Sequence, residues 1–368
     1  MTSRRLSMLA AGALCATALV TAPARADNLD SSLRQLSAAG APGVIVLTRD
    51  GARTRRLARG DAILATQAPM RPTDRFRVGS VTKTFVATVV LQLVGESRLT
   101  LDDSVEHWLP GVIPGGERIT VRELLNHTSG LFDYTQDEAF LESWLRDPRH
   151  EWTPSEIIGI ATAHQPTAVP GAAWRYSNTG YIVLGLIAEA ATGRPLATEL
   201  DARIFAPLRL RATSFDSGPR IAGRHAHGYF GEGRARDVTA FSPSGAWAAG
   251  AIVSNADDVA RFYRALMRGR LLRADLLKAM TTTVPIVPGA RYGLGIAHVR
   301  VRCGRAWTHE GDFPGYLTSV LTSADGRREA VVMVNSDSLS DRAHRALGRV
   351  IDTAYCGRRV NTQEWRVG

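Results

Sequence analysis

Residues 80–94 read SVTKTFVATVVLQLV and are followed by Gly95. The run predicts an α-helix that is apolar nearly all round, and a helix of that kind is buried in a protein core. Ser80 and Lys83 fall three residues apart in its first turn, which places a hydroxyl and an amine on one face. The stretch therefore predicts a central helix whose N-terminal end presents Ser80 and Lys83 at the floor of a cleft.

Lys83 is one of only two lysines in a chain that carries 43 arginines. Lysine can lose its proton near neutral pH and arginine cannot. We expect burial and the positive end of the helix to lower the pKa of Lys83. A serine hydroxyl needs a neighbour that accepts its proton before it attacks a carbonyl. The pair thus predicts nucleophilic catalysis, although S-x-x-K alone also occurs as a helix cap followed by a solvated lysine.

Two further strings favour the catalytic interpretation. Tyr176-Ser177-Asn178 places a phenol beside an amide, and His309-Glu310-Gly311 lies on a predicted C-terminal strand. The order of nucleophile, tyrosine and strand triplet is that of the penicillin-recognising serine enzymes. Together with LLNHTSGL at 124–131, YGLG at 292–295 and PGY at 314–316, these motifs resemble the β-lactamase and D-alanyl-D-alanine carboxypeptidase superfamily, in its class C-like branch. Within that branch the chain looks most like secreted actinobacterial carboxypeptidases.

The ends of the chain predict β-structure and the middle predicts helices. Val44–Leu47 closed by Asp50-Gly51 indicates a hairpin, and residues 317–322 and 330–334 indicate two more strands. We expect an α/β (α+β) β-lactamase/transpeptidase-like fold, an antiparallel sheet flanked by helices with an inserted helical lobe. The predicted sheet lobe comprises 27–78 and 290–358, the mainly helical lobe 79–289, and a polar tail 359–368. Predicted helices cover 80–94, 121–126, 154–163, 181–192, 257–267 and 339–355.

The resemblance implies a role for each site residue. Ser80 would form an acyl-enzyme, with its backbone N–H and that of Asp312 as the oxyanion hole. Lys83 would activate Ser80 or keep Tyr176 ionised. Tyr176 would carry a proton to the leaving group and act as the base for deacylation, which requires its pKa to fall. Asn178 would donate a hydrogen bond to the acyl amide of the substrate.

The strand triplet departs from the pattern of these carboxypeptidases. His309 stands where other members have the lysine of K-T-G, so its charge depends on pH. Glu310 and Asp312, on either side of Gly311, stand where carboxypeptidases tend to have threonines that help to hold the terminal carboxylate of the substrate. Two acids would repel a carboxylate. The two acids therefore favour an esterase, or an amidase for another D-amino-acid peptide, over a strict D-alanyl-D-alanine carboxypeptidase.

The N-terminus predicts export. Arg4 and Arg5 precede an apolar stretch, Met8–Val20, and Ala24-Arg25-Ala26 completes the layout of a signal peptide over 1–26. The apolar stretch is too short to span a bilayer. Removal of residues 1–26, which contain three arginines and no acids, lowers the formal net charge from +10 to +7. We expect a secreted protein suited to an anionic cell wall, and the scattered arginines do not indicate nucleic-acid binding.

Cysteines and histidines complete the candidates. The mature chain keeps Cys303 and Cys356, an even number in an oxidising compartment, so we expect one disulfide. Cys15 follows Leu14, which does not favour lipidation. His225 and His227 lack an acidic or cysteine partner at ligand spacing, so we predict no metal and no cofactor.

The leading hypothesis is a secreted serine hydrolase that acts through an acyl-enzyme on D-alanyl-D-alanine-type peptides, and its substrates are small peptides, esters or β-lactams. The alternatives within the fold are a class C-like β-lactamase and an esterase. A non-enzymatic alternative is a penicillin sensor, which acylates and stays acylated. A sensor is expected to carry a membrane span and a signalling domain, and residues 357–368 indicate neither.

Overall fold

The computed structural model describes residues 28–215, 218–231 and 235–357. The predicted signal peptide (1–26) and the predicted polar tail (359–368) lie outside the described residues. No helix in the described ranges is long and apolar enough to cross a membrane.

One nine-stranded antiparallel sheet organises the fold, in the order β3-β2-β1-β14-β13-β12-β11-β10-β9. β1 pairs with β14, so the β-rich ends of the chain join as predicted. The strand β9 begins at Val284, ahead of the boundary at 290 that the sequence predicted. The strands of this sheet are β1 (Gly43–Asp50), β2 (Arg53–Ile63), β3 (Ala68–Pro69), β9 (Val284–Val287), β10 (Ala290–Tyr292), β11 (Ala297–Val301), β12 (Gly304–Phe313), β13 (Tyr316–Thr322) and β14 (Arg328–Val334).

The remaining strands are short, and all of them except β4 lie between residues 79 and 289. They form a three-stranded sheet, β4-β8-β5, and a separate pair, β6 with β7. Their bounds are β4 (Phe76–Arg77), β5 (Ser214–Phe215), β6 (Tyr229–Phe230), β7 (Arg236–Asp237) and β8 (Ile252–Ser254). β4 lies three residues before Ser80, so its pairing with β8 fixes the backbone that leads into the candidate site.

Helices cover both faces of the large sheet. α1 and α13 pack on each other and bury one apolar face of the central strands, while α11 packs against β1, β13 and β14 from the other side. The helices are α1 (Asn28–Ala38), α2 (Thr82–Gly95), α3 (Val105–Trp108), α4 (Val121–Leu125), α5 (Glu138–Arg146), α6 (Pro154–Thr162), α7 (Asn178–Thr192), α8 (Leu196–Leu200), α9 (Ala206–Leu208), α10 (Trp247–Gly250), α11 (Ala256–Met267), α12 (Ala274–Thr281) and α13 (Asp341–Cys356).

The helix α2 lies at the centre of the larger core, as its sequence predicts. Phe85 is fully buried and stacks on Phe262 of α11 with ring centroids 3.6 Å apart. The polar side chains on this helix have partners, since the hydroxyl of Thr84 donates to the carbonyl of Gly295 at 2.7 Å. A buried hydroxyl costs little free energy once it is hydrogen-bonded. The helix is therefore a rigid support for the residues at its N-terminal end.

Cys303 and Cys356 form a disulfide, with Cα atoms 5.5 Å apart. The bond joins the turn between β11 and β12 to the last residue of α13. The predicted bridge is therefore present, and it ties the C-terminal helix to the strand that carries His309.

Candidate active site

Ser80 lies in a short 3₁₀ turn, Gly79–Val81, that leads directly into α2. The turn is fixed by one backbone hydrogen bond, from Val78 N to Ile252 O at 2.9 Å, and by one from Ile252 N to the side-chain Oγ1 of Thr82 at 3.1 Å. Gly79 has a positive φ of 51°, a conformation that glycine adopts without strain. The Ser80 side chain is half-buried and faces the cleft.

Lys83 is fully buried one turn into the site. Its Nζ lies 2.9 Å from Ser80 Oγ, 2.7 Å from Asn178 Oδ1 and 2.9 Å from the carbonyl oxygen of Ala249. Burial lowers the pKa of Lys83 to about 7, against the opposing pull of the Asp133 carboxylate. A large fraction of Lys83 is then a neutral amine at neutral pH, able to take the proton of Ser80.

Tyr176 lies beside this pair, just before α7. Its side chain lines the cleft together with Ser80, and its ring centroid is 5.0 Å from Lys83 Nζ. Burial raises the pKa of Tyr176, and the charges of Asp133 and Asp312 raise it further, while the Ser80 hydroxyl lowers it. The expectation that this pKa falls is wrong, because desolvation outweighs the effect of the Ser80 hydroxyl and His309 supplies no charge. Tyr176 is a neutral phenol here, which can donate and relay a proton.

Asn178, at the start of α7, is held between Lys83 and Asp133. Its Oδ1 accepts from Lys83, and its Nδ2 donates to Asp133 Oδ2 at 3.0 Å and to Thr135 Oγ1 at 3.2 Å. The amide was predicted to donate to the substrate. In this structure its N–H groups are directed to Asp133 and Thr135 instead.

His309 is buried on β12 and is uncharged. Its Nδ1 donates to the carbonyl of Glu310 at 2.6 Å, and its Nε2 accepts from the hydroxyl of Tyr292 at 2.9 Å. Burial lowers the pKa of His309 to about 3, with a smaller contribution from Lys83. His309 is therefore neutral near pH 7, and the tautomer with the proton on Nδ1 suits both partners.

The end of β12 meets the Ser80 turn. β11 pairs only with Gly304–Thr308 of β12, while β13 pairs with Trp307–Phe313, so the edge of residues 309–313 that faces away from β13 is turned to the cleft. A Cβ on Gly311 would lie 1.9 Å from Val78 O, and one on Gly79 would lie 2.4 Å from Asp312 O. Glycines at both positions allow the two backbones to touch. The structure thereby brings Ser80 and Asp312, the two predicted oxyanion donors, to one place.

Glu310 and Asp312 alternate with His309 on β12, and their side chains are exposed. Partial desolvation raises the pKa of Asp312 to about 6, with a further contribution from Asp337, while His344 acts in the opposite direction. Within the described ranges neither acid forms an ion pair with an arginine or lysine. The rim of the cleft beside Ser80 thus carries uncompensated negative charge.

A cleft of about 1130 Å³ opens beside Ser80 and continues past Asp312 towards α13. Its walls are mainly apolar and include the aromatic side chains of Tyr134, Trp144, Trp174, Tyr292 and Phe313. Trp174 lines the cleft, whereas Trp247 packs against Gly185 of α7. A space of this size and polarity fits a peptide-sized substrate with apolar side chains.

Sequence reasoning missed Asp133, Thr135 and Tyr292 as members of the site. Asp133 and Thr135 follow the NHTSG string, and an acid next to Phe132 and Tyr134 in an otherwise apolar stretch was a usable signal. The described residues contain no group of three histidine, cysteine, aspartate or glutamate side chains that could hold a metal ion. His227 contacts Asp237 at 2.6 Å, and its ring stacks on that of His225.

A family model described as Beta-lactamase matches residues 29–354. The chain belongs to the beta-lactamase family. It is 27% identical over 298 residues to penicillin-binding protein 4* of Bacillus subtilis (strain 168), a match covering 76% of this chain and 64% of that protein. This chain thus spans less than two thirds of the length of that relative. The family is one of serine hydrolases.

Two solved structures are similar over nearly the whole chain. A D-stereospecific amidohydrolase from Streptomyces sp. has a TM-score of 0.83 at 38% identity, covering 90% of this chain and 100% of that one. A D-amino acid amidase from Ochrobactrum anthropi SV3 has a TM-score of 0.79 at 28% identity, covering 88% and 97%. The predicted β-lactamase/transpeptidase-like fold is therefore confirmed.

Proposed function

We propose that this beta-lactamase-family hydrolase cleaves amide bonds that follow a D-amino acid, through an acyl-enzyme on Ser80. The leaving group in this proposal is uncharged or cationic. The observation that carries the proposal is the pair of acids, Glu310 and Asp312, on either side of Gly311 at the rim of the cleft. The likeness to a D-stereospecific amidohydrolase and a D-amino acid amidase supports the D-configured acyl part.

Acylation follows from the geometry around Lys83. The hydroxyl of Ser80 gives its proton to neutral Lys83 as Oγ attacks the carbonyl carbon, and the backbone N–H groups of Ser80 and Asp312 stabilise the oxyanion. When the C–N bond breaks, Tyr176 gives its phenolic proton to the leaving amine, and the proton on Lys83 restores Tyr176. Water then hydrolyses the ester, its proton returns to Ser80 through the same groups, and the carboxylic acid leaves.

The rim acids favour one class of leaving group over another. A D-alanyl-D-alanine carboxypeptidase must hold a terminal carboxylate next to the strand triplet, and two carboxylates at that place repel it. A leaving group that ends in an amide, that is ammonia, or that carries a basic residue is not repelled in this way. Hydrolysis of D-alanyl-D-alanine peptides with a free carboxylate, the leading prediction from sequence, is accordingly the competing function.

We also propose that the enzyme acts outside the cytoplasm. The layout of residues 1–26, the disulfide between Cys303 and Cys356 and the excess of positive charge support export to an anionic wall. Mass spectrometry of the protein from the culture medium tests this directly. A mature N-terminus at Asp27 is expected, whereas full-length protein retained in the cytoplasm would contradict it.

The function is tested with two dipeptides that differ only at one end. D-Ala-D-Ala and D-Ala-D-Ala amide share the internal peptide bond and the free amino group, so the rate compared is the release of D-Ala or D-Ala amide by cleavage of that bond; L-Ala-L-Ala amide controls for stereochemistry. We expect kcat/KM at least tenfold higher for D-Ala-D-Ala amide, and a smaller ratio after Glu310→Thr with Asp312→Thr. Preference for the free carboxylate would establish a carboxypeptidase. Rapid turnover of a penicillin with neither dipeptide cleaved would establish a β-lactamase.

A further inference from the structure

Asp133 is an acid buried behind the candidate site. Its residue is 5% exposed, and the cleft is lined by its neighbours Tyr134 and Thr135 and by Asn178. The carboxylate accepts from Thr135 N at 3.2 Å and from Thr135 Oγ1 at 2.9 Å, and it accepts from Asn178 Nδ2 through both oxygens. All these partners are neutral donors, and Asp133 does not touch the cleft itself.

The chemistry of these groups leaves Asn178 one orientation. An ionised carboxylate only accepts hydrogen bonds, so the NH2 end of the Asn178 amide must face Asp133. The oxygen end then faces Lys83 at 2.7 Å, where it accepts a hydrogen bond from the amine or ammonium. With the amide turned over, an oxygen would face the carboxylate and an NH2 group would face Lys83. Asp133 thus determines which end of Asn178 the lysine meets.

Asp133 also supplies a negative charge that raises the pKa of Lys83. The titratable groups around Lys83 come from several elements: His127 after α4, Tyr176 and Tyr181 at α7, and His309 on β12, which is hydrogen-bonded to Tyr292 of β10. Burial lowers the pKa of both histidines and raises the pKa of all three tyrosines, so these groups are neutral near pH 7. The Asp133 charge acts on Lys83 against burial.

We infer that Asp133 is a positioning residue for the Ser80–Lys83 pair, acting through Asn178. It fixes the Asn178 amide so that its oxygen holds Lys83 against Ser80, and its charge retains a usable proton affinity on a buried lysine. The inference rests on the acyl-enzyme chemistry of the proposed function but not on the choice of substrate. It is therefore tested with p-nitrophenyl acetate, whose burst of nitrophenolate reports acylation of the serine.

A double-mutant cycle separates action through Asn178 from a general effect on the fold. We expect Asp133→Asn to lower the burst rate at least tenfold, because asparagine can donate as well as accept and no longer fixes the neighbouring amide. In an Asn178→Ala background the same change is expected to have less than a twofold effect. The matched control is Asp137→Asn, which removes the same charge four residues along the chain, where Asp137 contacts His164 and caps α5.

The proton affinity of Lys83 is read without any substrate. The chain has two lysines, so ¹³Cε-lysine labelling gives two NMR signals, and Lys278→Arg removes one of them. We expect Asp133→Asn to move the titration midpoint of Lys83 down by about one pH unit or more, and Asp137→Asn to leave it in place. The rising limb of the burst rate with pH should move by the same amount and in the same direction.

Two results would overturn the inference: multiplicative effects of Asp133→Asn and Asn178→Ala, or an unmoved Lys83 midpoint in the Asp133 variant. Thermal melts show whether each variant is folded.

If Asp133→Asn does not fold, Thr135→Val serves instead, because it removes the hydroxyl between Asp133 and Asn178 and keeps the charge. A severalfold loss of burst rate that disappears in the Asn178→Ala background supports the inference, and an unchanged rate contradicts it. Absence of a burst in the wild type would refute the proposed function, while the NMR midpoint still tests Asp133.

Discussion

The amine nitrogen of Lys83 lies 2.9 Å from the hydroxyl oxygen of Ser80, at the start of a helix that is buried along most of its length. Burial lowers the pKa of Lys83 to about 7, so the group beside the nucleophile is poised to exchange a proton at neutral pH. An arginine could supply charge at this position but could not act as a base. The account of acylation depends on this pair.

Replacement of Ser80 by alanine is expected to abolish covalent labelling by a fluorescent penicillin or an activated ester. The reason is that Ser80 is the hydroxyl in contact with Lys83. Labelling is followed by gel fluorescence and intact-protein mass. Ser155→Ala, on the exposed side of α6, is the control and should label normally. An adduct on the Ser80→Ala protein would show that another residue is the nucleophile.

Replacement of Lys83 by arginine tests whether the amine must accept a proton. We expect the single-turnover acylation rate to fall at least about a hundredfold, the low end of what a positioned base contributes. Lys278→Arg makes the same change at the exposed second lysine and should leave the rate unaltered. Both variants are checked by thermal melting. Near-normal acylation by a folded Lys83→Arg protein would reduce Lys83 to a source of charge.

The pH profile is expected to contain no contribution from His309. Its pKa is lowered to about 3, so it stays neutral over the range in which Lys83 titrates. Acylation should therefore rise with pH through a midpoint near 7, as Lys83 loses its proton. His309→Gln should lower the rate, because the bond to Tyr292 changes, and leave the midpoint in place. A midpoint displaced by a full unit would mean that His309 carries a proton in this range.

The disulfide is expected to stabilise the fold. Cys303 and Cys356 close a loop with a sequence separation of 53 residues. Replacing both by serine should lower the free energy of unfolding by about 4 kcal/mol, the value that loop entropy gives for this length. Urea denaturation of wild type, reduced wild type and the double variant makes the comparison. Equal stability of all three proteins would contradict a constraint on the unfolded chain.

The sequence predicted the parts of the fold that depend on local patterns. The apolar run after Ser80 predicts α2, and the β-branched run at Val44–Leu47 predicts a strand whose partner, β14, lies at the other end of the chain. The direction of the Tyr176 pKa was not accessible in the same way. It depends on how completely the cleft excludes water and on His309 being neutral, and both follow from packing between distant segments.

The role of Asp133 could not be predicted from local sequence patterns either. Its role depends on its contact with Asn178, 45 residues away in the chain, and no local periodicity encodes that contact. The close approach of β12 to the Ser80 turn could not be predicted from local patterns either, because the need for glycine at positions 79 and 311 is apparent only when the two backbones are seen in contact. The sequence thus indicated the reacting groups, and the structure was needed to show which neighbours set their protonation.

The titration of Lys83 shows directly whether this amine can take the proton of Ser80. In protein labelled with ¹³Cε-lysine and carrying Lys278→Arg, one signal remains, and its chemical shift is followed from pH 5 to pH 11. We expect a midpoint near 7, with the burst rate of acylation rising over the same interval. A midpoint near 10, the ordinary range for lysine, would mean that Lys83 is a permanent cation at neutral pH and is not the group that takes the proton of Ser80.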